Sequence, residues 1–409
     1  MKRFKVAKWL AVLAVLFALL LTSCGEMPPN SGASGTGGDQ NQGSNTSTST
    51  GSSSSETENE DSTTSSTGTG TVFEQALNNA FTLPSSFDGW HYIIDDYDGD
   101  GRQEAFAFAG QPSGDGWNNI SIFYIDPNGN ITKLLWNSQM TGGPQNTEST
   151  SDKNYSSSCI SYKNEKFVVF WLGPDSACPY SMVYGVHNGS VTKEDIDGTC
   201  VRKVPEGFIC AAGLDIDYAY VVKNGRLVDM FTTSDAYKYI DPDYSMKTTP
   251  LKDAWKAYTE YSQMGNKEYF LQGDYDGDGR QEAYVIRGYF KDGYASSAEV
   301  CYIGWGGTVL LVGGGNGQLL NITKTNYKTS DSIIYAGNQK FMVWQVPGAG
   351  HAVTYLYGAR CGVPYQPQIS GNVSFFHQNE DSRYYAEGNE KYTEDEYLFN
   401  ASTGQFYRK

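Results

Sequence analysis

Histidine is nearly absent from this chain, with four among 409 residues. His91, His187, His351 and His377 are far apart, none stands in an HExxH pair, and no two cysteines stand as CxxC. A zinc-protease helix, a zinc ribbon and a dithiol redox centre are thereby excluded. No Gly-x-Ser-x-Gly elbow precedes a helix, which removes a common hydrolase signature. Gly313-Gly314-Gly315-Asn316-Gly317 has the glycine content of a phosphate loop but no following Lys and Ser/Thr, so a flexible turn is expected there. Positive charge is also in the minority. Lys and Arg number 30 against 46 Asp and Glu, a formal net charge of −16. Such a balance opposes nucleic-acid binding and electrostatic attachment to anionic lipid headgroups, and suits a protein that gathers cations. The apolar run Trp9–Leu21 is too short to cross a bilayer comfortably.

The N-terminus is ordered like a secretory signal. Lys2, Arg3, Lys5 and Lys8 form a positive head, and the apolar run ends at Leu21-Thr22-Ser23-Cys24. Those last four residues resemble the lipobox of bacterial lipoprotein precursors. The resemblance implies that residues 1–24 are a lipoprotein signal segment with its lipidated Cys24. The mature chain would then be exported, anchored to the bacterial membrane by lipid, and turned to the cell surface. Losing residues 1–23, with four positive groups and no negative one, takes the formal charge from −16 to −20. Residues 25–71 contain no aromatic residue and no Ile or Leu, and Ser, Thr, Gly, Asn and Gln dominate. They cannot bury enough apolar surface to offset chain entropy, and read as a disordered spacer with a reach of roughly 35–40 Å. Six cysteines remain: Cys159, Cys178, Cys200 and Cys210 in one half, Cys301 and Cys361 in the other. The even count in an oxidising compartment allows disulfides inside each half, with free thiols as the alternative.

The rest of the chain is a unit used twice. Asp96-Tyr97-Asp98-Gly99-Asp100-Gly101-Arg102-Gln103-Glu104-Ala105 recurs letter for letter from Asp274 to Ala283. Weaker echoes follow: Lys166–Trp171 with Lys340–Trp344, Val183–Gly185 with Leu356–Gly358, and Asp217-Tyr218 with Glu396-Tyr397. An amphipathic segment precedes each loop: Phe73, Ala76, Leu77, Ala80 and Phe81 share one helical face before the first, and Leu251, Trp255, Tyr258 and Tyr261 share one before the second. Elsewhere the texture is strands and hairpins. Asn128-Gly129, Asn188-Gly189 and Asn224-Gly225 separate alternating apolar runs, the strongest short-range hairpin signal. The expected fold class is all-β: two tandem β-rich repeat units, residues 72–245 and 246–409, each with one short helix. A propeller-like single body is the alternative.

Within the decapeptide, acidic side chains stand at relative positions 1, 3, 5 and 9, with glycine at 4 and 6. A hard cation takes six to eight oxygens at about 2.3–2.6 Å, and carboxylates on alternate residues of a curling loop converge on one point. Without a cation these charges repel and raise one another's pKa. An EF-hand is excluded, because position 12 is Ala107 or Val285 rather than Glu, and the flanks read as strands. The loop resembles the DxDxDGxxD calcium loop of FG-GAP and VCBS-type repeats, found in integrin-like β-propellers. The resemblance covers a short stretch of each copy, and position 9 is Glu where that family usually carries Asp. It implies calcium as the cofactor. The implied ligands are Asp96, Asp98, Asp100, the Arg102 carbonyl and Glu104, repeated as Asp274, Asp276, Asp278, the Arg280 carbonyl and Glu282. The family's shorter blade period is not visible in the letters, although three such periods fit the offset between copies.

No catalytic constellation stands out. Asp175, Asp195, Asp197, Asp215, Asp217, Glu394 and Glu396 read as solvated loop acids, and His91 as strand packing. Trp117, Trp305 and Tyr365 are candidate sugar-stacking residues, each more readily explained by packing. The expectation is a calcium-binding surface lipoprotein that acts as a binding or adhesion module toward a glycan or protein, not an enzyme. An extracellular hydrolase on polysaccharide or peptidoglycan and a structural envelope component are the alternatives.

Overall fold

Alternation of apolar residues in the segments after each amphipathic stretch produces antiparallel strands. The computed structural model describes residues 69–114, 116–145, 158–173, 180–213, 215–233, 235–260, 265–292, 294–319, 332–347, 352–369, 376–378, 381–387 and 394–409. The signal segment, Cys24 and nearly all of the expected spacer lie outside them, as do Asp175, Cys178, Tyr261 and His351. Helix α1 (Thr69–Ala80) begins three residues inside the stretch expected to be spacer.

Three four-stranded antiparallel meanders follow α1. The first is β1 (His91–Asp95), β2 (Glu104–Ser113), β3 (Gly116–Ile125) and β4 (Ile131–Leu135). A short strand, β5 (Thr141–Pro144), leads to β6 (Cys159–Tyr162), β7 (Glu165–Gly173), β8 (Tyr180–His187) and β9 (Ser190–Lys193). The third comprises β10 (Thr199–Lys203), β11 (Ile209–Ala212), β12 (Tyr218–Lys223) and β13 (Arg226–Asp229). Helix α2 (Leu251–Thr259) then opens a second set. Its meanders are β14 (Lys267–Gly273), β15 (Glu282–Lys291), β16 (Tyr294–Ile303) and β17 (Val309–Leu319); β18 (Ile333–Ala336), β19 (Gln339–Pro347), β20 (Ala352–Arg360) and β21 (Val363–Tyr365); and β22 (Phe376–Gln378), β23 (Tyr384–Glu387), β24 (Glu394–Asn400) and β25 (Gln405–Arg408). The fold is all-β, and each copy contributes one short α-helix. Each repeat thus holds three meanders of the kind that serve as propeller blades, which accounts for the wide offset between the two decapeptides.

Packing runs from blade to blade in chain order. Along β2, Ala105 and Ala107 face α1, where Phe73 and Leu77 cover them. Phe106 and Phe108 face the other way, toward Val168, Phe170 and Tyr184 of the second blade. Leu251 and Trp255 of α2 cover Ala283 and Val285 in the same manner. One cluster then joins the second to fifth blades through Phe167, Ile209, Tyr220, Tyr284, Met342 and Tyr357, and Phe341 joins the fifth to Phe376 and Phe406 of the sixth. Each buried Phe contributes about 1.5–3 kcal/mol, so the two copies are held together by a common core. All described residues belong to one compact unit, Ser65–Lys409.

The glycine run corrects one expectation. Gly313–Gly317 is not a flexible turn but part of β17, which pairs with β16 and then crosses to β19 through Gln318 and Leu319. In the first copy the separate strand β5 makes the same crossing between β3 and β7. A Cβ at Gly313 would strike the Tyr357 hydroxyl, and one at Gly317 the Trp344 ring, so glycine is there for close approach. The Asn-Gly hairpins form as expected, joining β3 to β4, β8 to β9 and β12 to β13. The thiols of Cys200, Cys210, Cys301 and Cys361 are free. Cys301 is buried and Cys361 exposed, so the disulfide allowed for the second half is not formed.

Candidate metal centre

Each decapeptide is the turn between the first two strands of a blade: Asp96–Gln103 between β1 and β2, Asp274–Gln281 between β14 and β15. Four glycines with positive φ curl it, Gly99 and Gly101 at 73° and 85°, Gly277 and Gly279 at 79° and 91°. The first aspartate of each loop fastens the curl. Asp96 accepts the backbone N–H of Asp100 and Gly101 at 3.1 and 3.0 Å, and Asp274 those of Gly277 and Gly279 at 2.7 and 3.0 Å. A tyrosine at position 2 pins the loop to the core. Tyr97 and Tyr275 are fully buried and donate their hydroxyls to Ile93 and Leu271 carbonyls.

The ninth residue opens the next strand and is fully buried in both copies. Glu104 Oε2 accepts the Tyr97 N–H at 2.9 Å, and Glu282 Oε2 the Tyr275 N–H at 2.8 Å. The other oxygen of each, Oε1, is buried with no hydrogen-bond partner. A native structure seldom leaves a carboxylate oxygen in that state without an ion or water to meet it. Asp96, Asp98 and Glu104 each bring an oxygen within 4.8 Å of the others, as do Asp274, Asp276 and Glu282, so each trio could hold a metal ion.

The charge environment agrees. Burial, opposed by the Tyr97 N–H bond and reinforced by the neighbouring aspartates, pushes the Glu104 carboxyl up to about 7. Burial and Asp276 push Glu282 up to about 9. Asp276, also raised first by burial, reaches about 6. In all three burial is the first cause, and the neighbouring aspartates add to it.

Asp100 and Asp278 stand outside the convergent trios. Asp100 accepts the Arg102 backbone N–H at 2.8 Å and its Nε at 2.9 Å, and that guanidinium holds its carboxyl below the usual carboxylate range. Asp278 accepts the Arg280 N–H at 2.8 Å.

Sequence reasoning missed the partners that arrive from the next blade. Gly189, in the β8–β9 turn, donates its N–H to Asp98 Oδ2 at 2.7 Å, and Gly362, in the β20–β21 turn, donates to Asp276 Oδ2 at 2.8 Å. The same clasp recurs without a metal-type loop. Glu206, in the β10–β11 turn, accepts Gly306 N–H, Thr308 N–H and the Thr308 hydroxyl from the β16–β17 turn. The first turn of the first, third and fourth blades thus presents an acid to the last turn of the next blade. Only Asn188-Gly189 carried a local signal, as a hairpin; nothing in Cys361-Gly362 announced its partner.

The remaining candidates are structural. His91 stacks on Phe108, with Nε2 3.1 Å from Asp88, in keeping with strand packing. Asp217 accepts the Gly213 and Leu311 N–H groups and ties the third blade to the fourth. Trp117 lies in β3 with its Nε1 donating to Asp88, Tyr365 lies in β21, and Trp305 is buried. None of the three is an exposed stacking platform.

No protein-family model matches the chain, and no curated protein matches it. Among solved structures it is similar to AofleA from Arthrobotrys oligospora, at 8% identity over 78% of this chain and 86% of that one, TM-score 0.19. It is also similar to TolB from Acinetobacter baumannii, at 10% identity over 83% and 92%, TM-score 0.17. A third is the acylaminoacyl peptidase of Pyrococcus horikoshii, at 11% identity over 80% of this chain and TM-score 0.18; this chain spans about half of that enzyme's length, 51%. Overlaps this loose carry no argument.

Proposed function

We propose that the chain is a calcium-clamped binding module, exported and carried on the outside of a bacterial membrane by a lipid on Cys24. The observation that carries the metal part is the pair of buried, unpartnered Oε1 atoms of Glu104 and Glu282, each inside a trio of carboxylates. An all-oxygen, all-carboxylate set without His or Cys suits a hard cation and not zinc or copper. Asp96, Asp98 and Glu104 would hold one ion, and Asp274, Asp276 and Glu282 the other. Asp100, Asp278 and the Arg102 and Arg280 carbonyls would complete the shells. The ion would supply the positive charge that the clustered carboxylates lack, and would reinforce the seam at which Asp98 and Asp276 meet the next blade. A clamped β-body on a long polar spacer behind a lipid anchor is suited to meeting a glycan or protein away from the membrane. Exposed Tyr289, Tyr335 and Tyr407 offer apolar rings with a polar tip for such contacts.

Calorimetric titration of the folded part with calcium tests the metal reading. Two sites with dissociation constants of about 10⁻⁴–10⁻³ M, the range of extracellular modules, are expected; absence of binding heat would overturn it. Retention of labelled envelope glycan on the immobilised protein in calcium, without release of reducing ends, is the expected signature of a binder. Steady release of reducing ends would make it a hydrolase instead.

A further inference from the structure

Two loops of identical sequence sit in different surroundings, and the difference falls on one ligand. In the first loop both Asp100 oxygens are engaged by Arg102, Oδ1 by the backbone N–H and Oδ2 by the guanidinium. The Arg102 side chain is 56% exposed, and among the described residues Asp100 is its ion-pair partner. In the second loop the corresponding guanidinium is drawn away. Arg280 lies between two rings, 4.3 Å from the centre of Trp305 and 4.7 Å from that of Tyr244. Its Nε is 3.9 Å from Asp278 Oδ2, a long ion pair where the first loop has two guanidinium hydrogen bonds. Trp305 stands in the turn between β16 and β17, and Tyr244 in the segment leading to α2. At the offset of the two decapeptides, Pro127 stands in the β3–β4 turn where the second copy has Trp305.

We propose that the two sites are unequal, the second binding a divalent, oxygen-seeking cation more tightly and the first acting as the weaker, exchangeable site. This rests on the metal reading above. For Asp100 to join the shell of the first ion it must give up its guanidinium, and a freely moving positive charge remains beside the site. Asp278 can turn its Oδ2 inward at a smaller cost, because its ion pair with Arg280 is long and the cation–π sandwich already holds that guanidinium.

The experiment is calcium titration calorimetry on the folded part in four forms: wild type, E104Q, E282Q and E282Q combined with Arg102→Gln. Wild type should show two classes of site. E282Q should abolish the tighter class and E104Q the weaker. Adding Arg102→Gln to E282Q should tighten the surviving site about two- to fivefold, the usual worth of an exposed ion pair. If E282Q does not fold, Asp276→Asn serves in its place. Equal constants for the two sites, loss of the tighter class in E104Q, or no response to Arg102→Gln would each overturn the inequality and leave calcium binding intact. No heat in wild type would overturn the metal reading itself, and this inference with it.

Discussion

Replacing Glu282 by Gln should have different effects with and without calcium. In calcium-free protein near neutral pH the Glu282 carboxyl, pushed up to about 9, is mostly protonated. Glutamine keeps its shape and an oxygen to accept the Tyr275 N–H, so the melting free energy should move by less than about 1 kcal/mol. With calcium the substitution removes a charged ligand. At about 100 times the dissociation constant, an ion bound only to the folded state adds about 2.7 kcal/mol per site. Unfolding entropy of about 2.1 cal/mol/K per residue, over a body of roughly 340 residues, converts that to about 4 °C per site. With about 10 mM calcium near 100 times the constant of the tighter site, wild type should melt about 4–8 °C higher in calcium than in chelator, E282Q, left with the weaker site, less than about 4 °C higher, and E104Q with E282Q about the same in both. Differential scanning calorimetry with about 10 mM calcium or with chelator reads all three. Equal destabilisation of E282Q in both buffers would make the loop a plain structural turn. A full calcium shift in the double variant would place the ion elsewhere.

Three further outcomes are expected. In calcium-free protein the raised carboxyls of Glu104, Asp276 and Glu282 bind protons at pH values where the unfolded chain has released them, so stability should fall as pH rises from about 4.5 to about 9. Calcium should flatten that slope, and a calcium-free melting point that stays level or rises over the range would contradict the burial of these groups. Glu206→Ala strands the Gly306 N–H, Thr308 N–H and Thr308 hydroxyl at the seam between third and fourth blades, and should cost about 2–4 kcal/mol equally with and without calcium; a loss confined to calcium buffer would tie that clasp to the metal sites. Cys24→Ala should move the protein from the membrane fraction to the medium, and persistence in the membrane pellet would remove the lipid anchor from the reading.

Local chemistry was legible in the letters because it is local. The repeated decapeptide, the strands on either side of it, the helix before it and the Asn-Gly hairpins all depend on residues within a few positions of one another, and each lies where its pattern placed it. The gathering of Asp96, Asp98 and Glu104 belongs to this class, although the same alternation pointed equally to Asp100, which its own Arg102 holds outside the trio. What the letters did not hold is contact at a distance. Asp98 meets an N–H from 91 residues away and Asp276 one from 86 residues away. The glycines of β17 looked like a free turn because the aromatic rings that require them, Tyr357 and Trp344, come from the next blade. The sharpest case is Asp100 against Asp278. Ten identical residues surround them, yet one carboxylate is held by its own arginine and the other is released because Tyr244 and Trp305 hold the arginine instead. Identity of a motif therefore fixes which oxygens the loop offers, while the blades around it fix how each carboxylate is held. A duplicated loop that keeps its letters can still diverge in affinity through substitutions that never touch it.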